Sequence, residues 1–497
     1  MMYDRGMKGV LVAAAILLWA VAVATASKAT PPAGLIKLNV AALDAQGQPV
    51  TGLRSADFHL QEDGKPRDIV FLRFTGGQTL AAKPGPGEYS NRAGAASHTT
   101  VVLIDLLSDR IMGDSTISRE ITDALKNLES SEDLYLYILT PRGDLYPIHP
   151  LPKPDTEVMP PAEPWTRLIA PLMQAAIKNL FAIKPVDDRD IAVRFNLTVQ
   201  AMRELGGQMG EVSGRKNLVW VSHGFPIYGY SISGQGRLDF TKPLQSLCQG
   251  LQQAQIAVYT VDQSMAGAAE GVGTTSVETL EEFTGITGGR GYTSDRAGEA
   301  IEQARTDSRA NYEIAYYSTS PNSDGKHHKI RVTCARKEVR LQTEHEFYSF
   351  GPPVSPGGPS TGAAGSSESP MEVQVAAHSP FDATDIGLRA SVSPDPATPR
   401  TMRFEIHIDA ADLLPLAARD SGAGKVSVVF AAYDEGLQQL SPPVPVSLTP
   451  EQPGTATQGE IRLSQAIPVG EASRKVRVIV FDAALGAVGS VTIPVRH

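Results

Sequence analysis

The sequence predicts an α/β protein: a doubly wound, mainly parallel sheet, with flanking β-sandwich strands and a C-terminal all-β sandwich. Three observations carry this. Thr99-Thr100-Val101-Val102-Leu103-Ile104-Asp105 is a continuous apolar, β-branched run ending on an acid, the pattern of a strand buried on both faces of a parallel sheet. From Thr99 to about Ser318 such runs alternate with segments of helical periodicity, which implies right-handed β-α-β units. From Met371 to His497 the pattern becomes short strand-like runs with turn residues between them.

Residues 1–26 read as a secretory leader. Arg5 and Lys8 precede an apolar stretch from Val10 to Val23, and Ala24-Thr25-Ala26 is a small-x-small site, so cleavage is expected after Ala26. A retained anchor is the alternative, but the stretch is short for a membrane span. No cysteine stands at its end, which speaks against a lipid-modified N-terminus. The expected location is therefore outside the cytoplasm: periplasm, cell surface or medium, with no membrane insertion after cleavage.

Residues 27–96 read as β strands and a linker. Leu35-Ile36-Lys37-Leu38-Asn39-Val40 and Phe58-His59-Leu60-Gln61 alternate with period two. Asp44 to Pro49, with Gly47, and Asp63-Gly64-Lys65 read as tight turns, and Gly76 to Ser97 as a Gly/Pro/Ala-rich linker. Residues 97–318 form the α/β part. Strands are expected at Val101–Asp105, Leu134–Leu139, Leu218–Ser222, Ile256–Asp262 and Tyr312–Tyr317. Helical stripes run through Ile117, Ile121, Leu125 and Leu128, through Ile191, Phe195, Val199, Met202 and Leu205, and through Leu244, Leu247, Cys248 and Leu251. Proline-rich Leu151 to Pro164 reads as a long loop.

Residues 319–350 return to β, with Ile330-Arg331-Val332-Thr333-Cys334 alternating. Neither flank is long enough to make a stable sheet stack alone. The two are therefore expected to pair into one sandwich into which the α/β part is inserted. Residues 351–370 are a Pro/Gly/Ser stretch that reads as a linker, and 371–497 as the C-terminal sandwich.

At 497 residues the chain is too long for one core. Its formal net charge of −9 and lack of a basic stripe exclude a nucleic-acid binder. Of its two cysteines, Cys248 lies on an amphipathic helix and Cys334 on a strand, so two buried thiols are favoured over a disulfide.

The stretch Gly214-Arg215-Lys216-Asn217-Leu218-Val219-Trp220-Val221-Ser222-His223-Gly224-Phe225-Pro226 closely resembles a signature of the von Willebrand factor A-related exported proteins of acidobacteria. Gly52-Leu53 with Asp57-Phe58-His59-Leu60-Gln61-Glu62-Asp63-Gly64-Lys65, Val258-Tyr259-Thr260-Val261-Asp262, Thr287-Gly288-Gly289-Arg290 and the segment from Arg477 to Val495 resemble the same pattern. The resemblance covers most of the mature chain and implies an exported protein with a Rossmann-like von Willebrand A domain.

The resemblance also implies a place for a metal ion. Such domains use an Asp-x-Ser-x-Ser loop, a threonine on a second loop and an aspartate on a third, oxygens that suit the octahedral demand of Mg²⁺. Asp105 matches the first position. Leu107 and Asp109 stand where the serines should be, Thr140 is the candidate threonine, and His223 stands where the aspartate would. Leu107 offers no oxygen and His223 suits softer metals. Ser108 and Asp109 could supply replacement oxygens. A divalent cation on Asp105, Ser108 and Asp109 is one reading; Asp105 capping a helix or bonding loop amides is the one these residues favour.

Other constellations weigh less. Gly271-Val272-Gly273-Thr274-Thr275-Ser276 lacks the lysine of a phosphate loop. Ser222-His223 lacks the Gly-x-Ser-x-Gly context of a serine hydrolase. His327-His328 reads as a solvated hairpin, Asp187, Asp188 and Asp190 as helix-favouring acids, and Trp220 as core. Phe225-Pro226-Ile227-Tyr228-Gly229-Tyr230 is an aromatic loop just past a strand end, where tyrosine favours contact with a partner.

The expectation is a non-enzymatic module without a cofactor. It would bind a protein or cell-surface ligand near Asp105, Ser108, Asp109, Thr140, Ser222, His223, Phe225, Tyr228 and Asp262. A structural scaffold of the cell envelope and a hydrolase with an altered metal site are the alternatives.

Overall fold

The computed structural model describes residues 34–76, 84–92, 98–107, 123, 125, 134–156, 169–180, 191–212, 214–230, 237–262, 274–293, 296–318, 326–348, 370–398, 400–419, 425–434, 436–446 and 459–495. The leader at 1–26, Ser108, Asp109, most of the 117–128 stripe and the linker 351–369 lie outside them.

The N-terminal strands are β1 (Leu35–Leu43), β2 (Phe58–Glu62), β3 (Lys65–Arg67), β4 (Ile69–Phe74) and β5 (Glu88–Ser90). Asp63 and Gly64 turn β2 into β3 at φ +51° and +75°. Two successive positive φ values are what a tight hairpin needs, and Asp-Gly tolerates them. At the Asp44 turn the carboxylate accepts from the Gln46 and Gln48 amides at 2.9 and 2.8 Å, with Gly47 at φ +78°.

The central part contains β6 (Thr100–Asp105), β7 (Leu134–Leu139), β8 (Leu145–His149), α1 (Ile169–Leu180), α2 (Ile191–Gly210), β9 (Lys216–Ser222), β10 (Tyr228–Tyr230), β11 (Arg237–Asp239), α3 (Thr241–Gln253), β12 (Ile256–Asp262), α4 (Thr274–Thr287), β13 (Gly291–Thr293) and α5 (Ala297–Arg309). Six strands form one sheet in the order β13-β12-β9-β6-β7-β8. All neighbours in it are parallel except β7 and β8. Alternate residues of its buried strands serve opposite faces. Val101, Leu103, Leu218, Trp220 and Val258 meet α2, α3 and α4, while Val102, Ile104, Val219, Val221 and Val261 meet α1 and α5. That two-sided burial is why these strands read as unbroken apolar runs.

The chain then returns through β14 (Asn311–Tyr317), β15 (His327–Cys334), β16 (Arg340–Gln342) and β17 (Glu346–Tyr348). β14 pairs antiparallel with β1 and β4, not with the six-stranded sheet. Two four-stranded sheets result, β16-β1-β14-β4 and β17-β15-β2-β3. They share a core of Leu38, Val40, Phe58, Leu60, Tyr312, Ile314, Ile330 and Phe347.

The last part holds α6 (Met371–His378), β18 (Leu388–Pro394), β19 (Thr401–Asp409), β20 (Val426–Tyr433), β21 (Leu437–Leu440), β22 (Val444–Pro445), β23 (Glu460–Pro468), β24 (Lys475–Asp482) and β25 (Ala487–Pro494). The sheets β23-β19-β18-β5 and β21-β20-β24-β25, with β22 on β20, pack through Phe404, Ile406, Phe430, Val478 and Ile493. The edge strand β5 comes from the Gly76–Ser97 stretch that composition marks as a linker. Its Glu88, Tyr89 and Ser90 pair with Ser391, Ala390 and Arg389. A three-residue strand in Gly/Pro-rich surroundings carries no periodicity to reveal it.

These sheets correct the expected fold class. Strand outweighs helix, 43% to 25%. Among the described residues five of the six sheets are antiparallel, and parallel pairing is confined to the one mixed sheet. The chain is mostly β, not a doubly wound α/β fold. The apolar runs and the strand–helix alternation describe a local stretch, and the antiparallel sheets on either side outweigh it.

A buried ionic cluster ties the layers together. Arg73 on β4 pairs with Glu313 on β14, with Asp412 3.8 Å from its other Nη. Arg92, just past β5, reaches Asp412 at 2.7 Å, and Lys37 lies 3.7 Å from Glu313. Cys248 and Cys334 are both free thiols. Burial pushes the Cys248 thiol well above its ordinary value, which leaves it protonated and inert. Among the described residues no helix is long and apolar enough to cross a membrane.

Candidate functional site

Three parallel strands end in one row. Ile104 of β6 is level with Val221 of β9, which brings Asp105 beside Ser222, and Ser222 is level with Asp262 of β12. On the other side Asp105 is level with Leu139, so Thr140 follows at the same edge. The carboxyl edge of the mixed sheet thus collects Asp105, Thr140, Ser222 and Asp262, with His223 immediately beyond.

Asp105 is 3% exposed and both its oxygens are engaged. Oδ1 accepts from the Leu107 amide at 3.0 Å and Oδ2 from the Ser222 hydroxyl at 2.7 Å. The Ser222 Oγ in turn accepts from the Gly224 amide at 2.9 Å, and Gly224 takes φ +65° as the chain turns away past the strand end. Half-buried His223 is the residue between them. Thr140, also buried, turns its hydroxyl onto its own loop, where Oγ1 accepts from the Arg142 and Asp144 amides at 3.3 and 3.1 Å.

The Asp105–Ser222 bond is a clamp between two strand ends. Asp105→Ala should remove the acceptor for one buried hydroxyl and one amide, lowering stability by about 1–3 kcal/mol. Asp105→Asn keeps one carbonyl acceptor and should cost less than Asp105→Ala. Denaturant midpoints of the two variants check the order.

Leu107, where a hydroxyl would be needed for an octahedral ion, packs into the core against Leu103 and its neighbours. Its side chain holds the loop by apolar contact and offers no oxygen. Ser108 and Asp109 lie outside the described residues.

Past Ser222 the chain forms a short antiparallel ribbon, β10 against β11. Buried apolar residues fasten its base. Phe225 sits edge-on to Phe195 at 5.3 Å, and Phe240 stacks on Phe195 at 4.2 Å. The Phe240 amide donates to the Ile227 carbonyl at 2.9 Å. The Thr279 hydroxyl on α4 donates to the Phe225 carbonyl, a bond that no motif in the sequence announces. Phe225 is therefore a buried anchor, 1% exposed. Tyr228, at 39%, is presented to solvent.

Among the other sequence candidates, Asp187, Asp188, Asp190 and residues 271–273 lie outside the described residues, and the rest make contacts within the fold. His328 Nδ1 lies 2.9 Å from Asp63 Oδ2 and His327 pairs with Glu346, both across strand edges. Trp220 is fully buried.

No family model matches the chain, and no curated protein matches it. Two structures of the pilus adhesin SpaC from Lactobacillus rhamnosus GG, one in an open conformation, are similar at 7% identity over 90% of this chain, with TM-scores of 0.27 and 0.28. The chain spans 56% and 57% of their length. A β-glucosidase from Listeria innocua in complex with isofagomine is similar at 7% identity over 85% of this chain and 48% of that one, with a TM-score of 0.17. Likeness at this level carries no argument. The resemblance to von Willebrand factor A-related proteins rests on the sequence motifs alone.

Proposed function

We propose that the protein is a non-enzymatic binding module that holds a protein or cell-surface partner at the carboxyl edge of the mixed sheet. The supporting observation is the β10–β11 ribbon. Phe225, Ile227 and Phe240 fix its base in the core, and Tyr228 stands exposed on it. A rigid mount under an exposed tyrosine lowers the ordering cost of binding, and tyrosine supplies large contact area. The inward engagement of Asp105, Ser222 and Thr140 fits a docking edge better than a reaction centre, because their oxygens already hold the loops. The extracytoplasmic setting rests on the leader read from residues 1–26.

Retention of cell-envelope proteins on the immobilised chain, with and without chelator, tests this. Tyr228→Ala should cut retention roughly ten-fold without moving the thermal midpoint. Retention indifferent to Tyr228→Ala would refute the docking edge. Calorimetry with Mg²⁺, Mn²⁺, Ca²⁺ and Zn²⁺ is expected to give no heat. A binding heat abolished by Asp105→Ala would instead favour a metal-dependent site.

A further inference from the structure

Lys216 is the first residue of β9, at the end of the strand away from Ser222. Beside it lies a cavity of about 430 Å³, between the close of α2 and the C-terminal sandwich, large enough for a small organic molecule. Val375 of α6, Leu485 and Val488 give it an apolar wall. Lys216 is 4% exposed, and its Nζ donates to the Val212 carbonyl at 2.8 Å. Among the described residues no carboxylate lies within ion-pair distance of it.

A lysine stripped of water without a counter-charge shifts toward the neutral amine. Burial pushes Lys216 down to about 8, against the partial opposing pull of Asp385. The lining also carries Glu211, Glu372 and Asp385, carboxyls that suit proton transfer, and Lys37, whose charge adds to the downward push on Lys216. A desolvated amine in an apolar pocket is the arrangement that makes lysine a nucleophile.

We propose that Lys216 condenses with a small aldehyde or ketone admitted to this cavity. The nitrogen lone pair forms the C–N bond while the carbonyl π pair moves to oxygen. The two N–H protons pass to that oxygen, which leaves as water, and the product is a C=N imine with no net redox change. The site is remote from the carboxyl edge and does not rest on the binding reading.

The full chain is treated with butanal and cyanoborohydride at about pH 7.5, which traps the imine as a butylamine, and is then peptide-mapped by mass spectrometry. Lys216 should carry roughly ten-fold more label than the exposed Lys65 and Lys425. Val375→Trp, which fills the wall, should bring Lys216 down to their level and leave theirs unchanged. Label on Lys216 no greater than on Lys65 and Lys425 overturns the proposal. So does label unaffected by Val375→Trp in a variant of unchanged thermal midpoint. If that variant is destabilised, selectivity in the unaltered chain decides.

Discussion

Replacing Arg73 by methionine is expected to lower the unfolding free energy by about 3–5 kcal/mol, the cost of stranding a buried charge without its partner. Arg73 is 8% exposed and faces two carboxylates, Glu313 and Asp412, that are themselves 3% exposed. Its guanidinium also lies 5.8 Å over the Phe71 ring, so the site is apolar on one side. Burial alone would push the Glu313 carboxyl up. The Arg73 charge, helped by Lys37, outweighs it and holds the carboxyl below its ordinary 4.5. At Asp412 burial wins over Arg73 and Arg92, and its carboxyl is raised.

The pH dependence follows from these directions. A depressed carboxyl contributes stability that is in place above its unfolded value and is lost as pH falls through the lower folded one. Glu313 therefore supports the fold above about pH 4.5 and gives up that support below it. In Arg73→Met both carboxyls rise, so acid protonates and relieves them. The gap between variant and parent should shrink from about pH 7 to about pH 4, as urea titrations would measure. A gap that grows on acidification would contradict this account. Adding Glu313→Gln to Arg73→Met should recover part of the loss, since a neutral amide is cheaper to bury than a lone carboxylate.

Trp220→Ala is expected to cost about 3–5 kcal/mol as well, by the loss of buried apolar area and the cavity left behind. Trp220 meets Phe283 edge-to-face at 5.0 Å and Phe225 at 6.3 Å. Phe225 stands at the base of the Tyr228 ribbon, so the cavity opens under the proposed contact surface. The indole Nε1 is buried and has no hydrogen-bond partner among the described residues. Trp220→Phe removes that donor and keeps most of the ring, so it should cost less than about 1.5 kcal/mol. Denaturant unfolding of both variants tests the contrast. Equal losses would mean that the indole N–H matters more than the volume.

Legibility in the sequence tracked burial. Strands covered on both faces declare themselves by unbroken apolar runs. The expected Ile256–Asp262 coincides with β12, and the expected Leu218–Ser222 falls inside Lys216–Ser222. Asp63-Gly64 was readable as a turn because two positive φ values leave few residue choices. The balance of the whole fold was not readable in this way. The alternating runs of β1, β2 and β15 are antiparallel strands spread through the chain, and the parallel stretch between them is the louder signal. At the site, strand ends placed Asp105, Ser222 and Asp262 at one edge. The clamp between Asp105 and Ser222 is a contact across 117 residues. The sequence did not announce that Phe225 would be an anchor and Tyr228 exposed, because both are aromatic residues of one loop.

The edge strand Glu88–Ser90 has a practical consequence for anyone dissecting the molecule. It pairs with Arg389–Ser391, Asn91 Nδ2 donates to the Ala383 and Ile386 carbonyls at 2.7 and 2.8 Å, and Arg92 grips Asp412. A protease cut between residues 348 and 370 would yield two fragments that migrate together on a sizing column and separate only in denaturant. Recombinant halves divided there would each miss what the other holds, the carboxyl-terminal piece with a bare sheet margin inviting self-association.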